Sequence, residues 1–154
     1  MHVEFYERIW MWLAGVLVVV FVGVIAGTAA MGAMQPPSHI ETVDPTTLDT
    51  NPEFSAPGVK TNADGSVTVS VVAGMFSFDP DPIEVPAERP ITFRLTSRDL
   101  IHGFQVIGTN ANAMVVPGYV SQFTVAFKAG EYAIACNEYC GIMHHQMVGK
   151  LIVK

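Results

Sequence analysis

An all-β sandwich of Greek-key type, carried on one N-terminal membrane-spanning helix, is the fold the sequence predicts, and three observations predict it. No charged residue occurs between Ile9 and Met34. From Val67 onward, short alternating or β-branched runs are separated by turn residues. Between these regions lies a stretch rich in Pro, Asp, Asn and Thr with no sustained apolar period. The 154 residues suffice for one ordinary domain plus an appendage, and a charged fraction of 14 % with a positive mean hydropathy points to membrane attachment. The expected division is an anchor helix over 1–35, a linker over 36–65 and the β domain over 66–154.

The uncharged run would form a helix about 39 Å long against a hydrocarbon core of roughly 30 Å, enough for one tilted span. A cleaved signal peptide is the competing reading, because "GTAAMGAM" offers small residues to a peptidase. The preceding "MHVEFYER" is net acidic, however, where a signal peptide needs a positive end. Arg8 is the one basic residue near the N-terminal flank and no Lys or Arg follows the run until Lys60, so the positive-inside bias places the N-terminus in the cytoplasm and the C-terminal domain outside. Trp10 and Trp12 read either as interfacial anchors or as packing residues for a partner helix.

After the helix, "QPPSHIETVDPTTLDTNPEFSAPGVKTNADG" reads as a linker running over a surface. The net charge is −6, and all but one unit of it lies beyond the N-terminal flank; this excess of acid argues against nucleic acid and allows a basic protein partner. The runs "VTVSVVA", "PITFRLTS", "IHGFQVIG", "YVSQFTVAF", "EYAIAC" and "GKLIVK" are the candidate strands, punctuated by "DPDP", "PAERP", "GTNAN" and "KAGE". Several strands at that spacing suit a small sandwich of two sheets with alternating faces buried between them. There is no internal repeat and no low-complexity tract.

"CNEYCGIMHHQM" concentrates soft ligands between two of these strands. "EYAIAC" delivers Cys136 to the rim and "GKLIVK" returns from the loop, so the ligand-rich segment is held at both ends. Cys140 follows Cys136 by four, His144 follows Cys140 by four and Met147 follows His144 by three. His102, in an earlier strand, is within reach across the sandwich top. Thiolate, imidazole and thioether together select copper. Structural zinc on His102, Cys136, Cys140 and His144 is an alternative that gives Met147 no purpose, and a Cys136–Cys140 disulfide is another that leaves the histidines unexplained. A mononuclear blue-copper site uses one cysteine. Two cysteine sulfurs can instead bridge two copper ions, each taking one terminal imidazole.

These residues, with the upstream "IHGF", resemble the binuclear copper (CuA) motif of subunit II of haem-copper cytochrome c oxidases, over roughly Ser66 to Val153. The resemblance implies a cupredoxin sandwich outside a prokaryotic cell membrane, taking electrons from cytochrome c or another small redox donor and passing them to haem in a large multi-helix subunit I, where oxygen is reduced and protons are translocated. It further implies Cys136 and Cys140 as bridging thiolates, His102 and His144 as terminal ligands, Met147 as a weak axial ligand, and the backbone carbonyl of Glu138 as a ligand to the other copper. His145 departs from the family spacing and reads as a surface or partner-contact residue; Met143 and Met114 read as packing residues.

Two departures stand out. Better-known members have two membrane helices, whereas one helix resembles the smaller B-type oxidases. They also carry a tryptophan-containing stretch implicated in electron entry, where this chain has "MFSF". Phe76 and Phe78 are therefore candidates for an apolar electron-entry patch, the competing reading being sandwich core. Glu7, in "FYERIW", is a candidate proton-entry carboxylate by the same resemblance, against a solvated helix-end charge. No catalytic dyad or nucleophile is evident. Two rival functions remain at this point: a thioredoxin-like copper chaperone, in which the cysteines precede the histidine on an α/β fold, and the CuA domain of a nitric oxide or nitrous oxide reductase.

Overall fold

The computed structural model describes residues 4–30 and 40–154, and within it 1–39 and 40–154 form two separate compact units. The first contains helix α1 (Phe5–Ala30). Its sequence is heavy in valine, a poor helix former in water, but a spanning segment must satisfy every backbone group internally and the helix does so. Glu7 closes the N-terminus, its Oε2 accepting the Glu4 N–H at 3.1 Å, and Thr28 returns its hydroxyl to the Val24 carbonyl at 2.9 Å. No residue of α1 is buried. The expected end of the anchor near residue 35 lies outside the described residues.

The second unit has ten strands: β1 (Gly58–Thr61), β2 (Val67–Gly74), β3 (Ser77–Asp79), β4 (Ile83–Val85), β5 (Ile91–Ser97), β6 (His102–Val106), β7 (Asn112–Val115), β8 (Ser121–Val125), β9 (Gly130–Ala135) and β10 (Val148–Val153). One sheet runs β1-β2-β5-β8, with β3 sharing the β1 edge of β2; the other runs β4-β10-β9-β6-β7. The chain changes sheet repeatedly, so β2 pairs with β5 and β4 with β10 in parallel, while all other strand pairs are antiparallel. This is the expected Greek-key sandwich.

Alternation fixes what lies between the sheets. Val67, Val69 and Val71 of β2 and Ile91, Phe93 and Leu95 of β5 point inward and are buried, as are Phe104, Val106 and Ile134 of the facing sheet. Aromatic rings fill the middle. Phe93 stacks on Phe123 with centroids 5.2 Å apart, and Phe78 meets Phe104 edge-on at 5.5 Å.

The stretch read as a linker does cross a surface, but from Ile40 onward it is packed into the domain. Asp44 caps a 3₁₀ turn over Pro45–Thr50 through the Thr46 N–H, at 2.9 Å. Leu48 and Phe54 are buried with Val72 on the outer side of β2, flanked by Val43 and Val120. Burial on this second face explains why "SVVA" in β2 reads as a continuous apolar run instead of alternating. Arg94 of β5 ties the strap down. It meets both carboxylate oxygens of Glu53, at 2.5 and 2.9 Å, together with Glu41 and Gln122, each at 2.6 Å. The rest of the expected linker, 36–39, lies outside the described residues.

Candidate metal centre

Every candidate copper ligand is carried to one end of the sandwich by strand geometry. β6 opens on His102, β9 ends one residue before Cys136, and β10 starts one residue after Met147. The loop between β9 and β10 is stiffened by its own backbone: Cys136 N–H donates to the Met147 carbonyl and His144 N–H to the Gly141 carbonyl, both at 3.1 Å. Gly141 has φ 129°, a conformation that excludes most side chains, and a Cβ there would stand 3.5 Å from the Phe76 ring.

The two sulfurs lie 3.7 Å apart and both thiols are free, so the disulfide reading does not hold. Each sulfur has its own companions. The Cys136 Sγ is 4.0 Å from His102 Nδ1 and 3.2 Å from the Glu138 carbonyl oxygen. The Cys140 Sγ is 3.5 Å from His144 Nδ1 and 3.7 Å from Met147 Sδ. His102, Cys136 and Cys140 present ligand atoms that all lie within 4.8 Å of one another, and among the described residues that group does not take in His144. A single tetrahedral ion with bonds of about 2.0–2.3 Å would need all four donors mutually within about 4 Å. His102 and the Glu138 carbonyl lie beside the Cys136 sulfur, and His144 and Met147 lie beside the Cys140 sulfur.

Electrostatics suits a cation. His102, Cys140 and Met147 are almost fully buried, and Cys136 is only 7 % exposed. Burial pushes the Cys140 thiol up to about 11, and the adjacent Cys136 adds to the effect. The metal-free site therefore holds Cys140 as a thiol, and a bound cation displaces its proton.

Asp99 was not singled out by the sequence, and it orients His102. Its Oδ1 lies 2.7 Å from His102 Nε2, leaving Nδ1 to face Cys136. Burial alone would raise the Asp99 carboxyl, but hydrogen bonds from His102 and from the Leu100 N–H, at 2.6 Å, hold it below the usual carboxylate range. The one available signal was an acid three residues ahead of the histidine in "RDLIHGF".

The remaining candidates separate. Phe78 is 4 % exposed and part of the central aromatic cluster, which corrects its assignment to a contact patch. Phe76 is half-buried, holds φ 66° and packs over Gly141, so it is the member of the pair beside the metal-binding loop. His145 is exposed, as are Tyr139 and Ile142 of the same loop. Tyr139 lies against His144, ring centroids 5.8 Å apart. Glu7 belongs to the helix unit, where its carboxylate is used as a cap. The all-β architecture removes the thioredoxin-like chaperone.

Comparison with known proteins agrees with the geometry. The cupredoxin-like domain family matches residues 46–153. Cytochrome c oxidase subunit 2 of Thermus thermophilus is 42 % identical over 97 % of this chain and 92 % of its own length. A chain of a heme-copper terminal oxidase dimer solved by cryo-electron microscopy superposes with a TM-score of 0.67 at 30 % identity, covering 97 % of this chain and 99 % of that one. Rusticyanin, at 19 % identity and a TM-score of 0.53 over 75 % of this chain and 98 % of its own, shares the fold. With its sandwich, its sulfur-and-imidazole cluster and its apolar N-terminal helix, the chain belongs to the cytochrome c oxidase subunit 2 family.

Proposed function

We propose that the chain is the electron-entry subunit of a membrane-bound terminal oxidase, with a binuclear copper centre bridged by Cys136 and Cys140. His102, His144, Met147 and the Glu138 carbonyl would complete the set of residues that hold the metal. The observation that carries this reading is a pair of free sulfurs 3.7 Å apart, each with its own neighbouring imidazole. When bound, the copper pair supplies a one-electron couple whose charge is shared over both ions.

The task of the protein is to keep that couple from changing shape. Burial excludes water, the loop hydrogen bonds fix the donor positions, and Asp99 holds the imidazole of His102. No group in the site is arranged for proton abstraction or nucleophilic attack, so oxygen reduction belongs to a haem-bearing partner and α1 attaches the domain to it. Small, basic cytochrome c is the donor we assign, in keeping with the acidic domain and the apolar rim at Phe76, Tyr139 and Ile142. The relatives named above are oxidase subunits, which favours oxygen over nitric or nitrous oxide as the terminal acceptor of the complex.

Copper loading of the purified chain, followed by metal analysis and electron paramagnetic resonance, tests the site. Two coppers per chain sharing one unpaired electron are expected, and Cys136→Ser or Cys140→Ser should abolish that signal. One copper with a four-line spectrum, or preferential retention of zinc, would reject it.

A further inference from the structure

We infer that Asn112 and Asn137 form a clamp that presses the metal-binding loop onto Gly103 and thereby sets the hydrogen bond received by the Cys136 sulfur. The inference rests on the copper reading above. β6 and β9 pair in the register Gln105 with Ala135 and Val106 with Ile134. Carried two steps past the last pair, that register sets Gly103 opposite Asn137, the residues that follow the ligands His102 and Cys136. The ladder ends before it reaches them. A Cβ on Gly103 would lie 1.9 Å from Asn137 Oδ1 and 2.7 Å from its backbone nitrogen, a space no side chain can enter. With the ladder ended, the Gly103 N–H turns to Cys136 Sγ at 3.4 Å.

Asn137 is held in this position from the far side. Its Nδ2 donates to Asn112 Oδ1 at 3.1 Å. Asn112 opens β7 and pairs with Gln105, so it is anchored to the same strand that carries Gly103. The three residues therefore close a ring from β6 through the loop to β7 and back. Hydrogen bonds to a copper-bound thiolate draw charge from sulfur, weaken its donation to the metal and favour the reduced state. Asn112 touches neither metal nor ligand and is a positioning residue.

The test uses the full chain in detergent. Asn112→Ala exchanges one uncharged side chain for another at an exposed strand position, so net charge does not enter the comparison. The expected results are a lower reduction potential, a shift in the sulfur-to-copper absorption bands, and amide exchange at Gly103 about fivefold faster in the metal-free chain, the weight of one net hydrogen bond. Asn112→Asp keeps an acceptor for Asn137 and should restore the band positions and the exchange rate; its potential is not compared, because its charge acts directly on the metal. A two-copper Asn112→Ala chain with unchanged potential, bands and exchange overturns the clamp and leaves the copper reading intact. Should the wild-type chain itself lack the shared-electron signal, the copper reading fails, and Gly103 exchange in the metal-free chain then decides the clamp alone: faster in Asn112→Ala upholds it, unchanged overturns it.

Discussion

Two side chains at the metal end lead to measurable consequences. Asp99 fixes which nitrogen of His102 faces the sulfurs, through a contact of 2.7 Å to a fully buried ring. Losing such a partner generally costs about 10–100-fold in metal affinity. Asp99→Asn should therefore weaken copper binding by that factor in a chelator competition, with the fold unchanged by circular dichroism. Cys140 sets the pH dependence. Its thiol is raised to about 11 by burial beside Cys136, so at neutral pH copper must displace that proton. Apparent affinity should accordingly rise with pH, by about one power of ten per unit for this proton between about pH 6 and 9, and fall in acid by the same law. A pH-independent affinity would show the thiolate to be already formed. The candidate ligands stood out in the sequence because cysteine, histidine and methionine at those intervals have few other uses in one loop. Asp99, Gly103 and Asn137 were not, because a carboxylate, a glycine and an amide near a turn have ordinary explanations until the fold sets them beside sulfur and imidazole.

At the scale of elements, the strap over residues 40–57 makes the larger difference between expectation and structure. Long strands announced themselves: β2, β5, β6, β8, β9 and β10 coincide with the alternating runs. β3 and β4 have three residues each and β1 and β7 four, too short to establish a period. The strap reads as a surface linker in the sequence because its two buried anchors, Leu48 and Phe54, are isolated among polar residues. Phe54→Ala should cost about 3–5 kcal/mol, measured by denaturant unfolding of the detergent-solubilised chain. The ion pair beneath it gives an acid signature. Burial alone would raise Glu53, but hydrogen bonds from Arg94 and Ser70 and the Arg94 charge hold it below its ordinary value of 4.5. A depressed carboxyl contributes stability that is present above its unfolded value and disappears as pH falls through the folded one. Glu53→Gln should thus be less stable than wild type at pH 7, and the gap should close as pH drops below about 4.5. A gap that persists into acid would assign the effect to packing of the strap instead of the charge on Glu53.

For the molecule as a whole, the two units pose opposite solvation problems. The sandwich buries its own apolar faces, whereas α1 leaves every side chain outward, including Trp10 and Trp12 at 70 % and 78 % exposure. In water such a helix is unfavourable along its whole length, and in a bilayer it spans with its backbone satisfied. The domain must then lie on one side, and the only charge asymmetry available to choose that side is at the N-terminal end, where Arg8 has no basic counterpart before Lys60. The prediction from this asymmetry is a cytoplasmic N-terminus and an external domain, the side on which a soluble donor would reach the loop. Protease added to intact spheroplasts should remove an epitope placed after Lys154 and spare one placed before Met1. The reverse pattern, with the C-terminal epitope cut only after lysis, would show that a single arginine does not decide the topology and that the donor must be sought inside the cell.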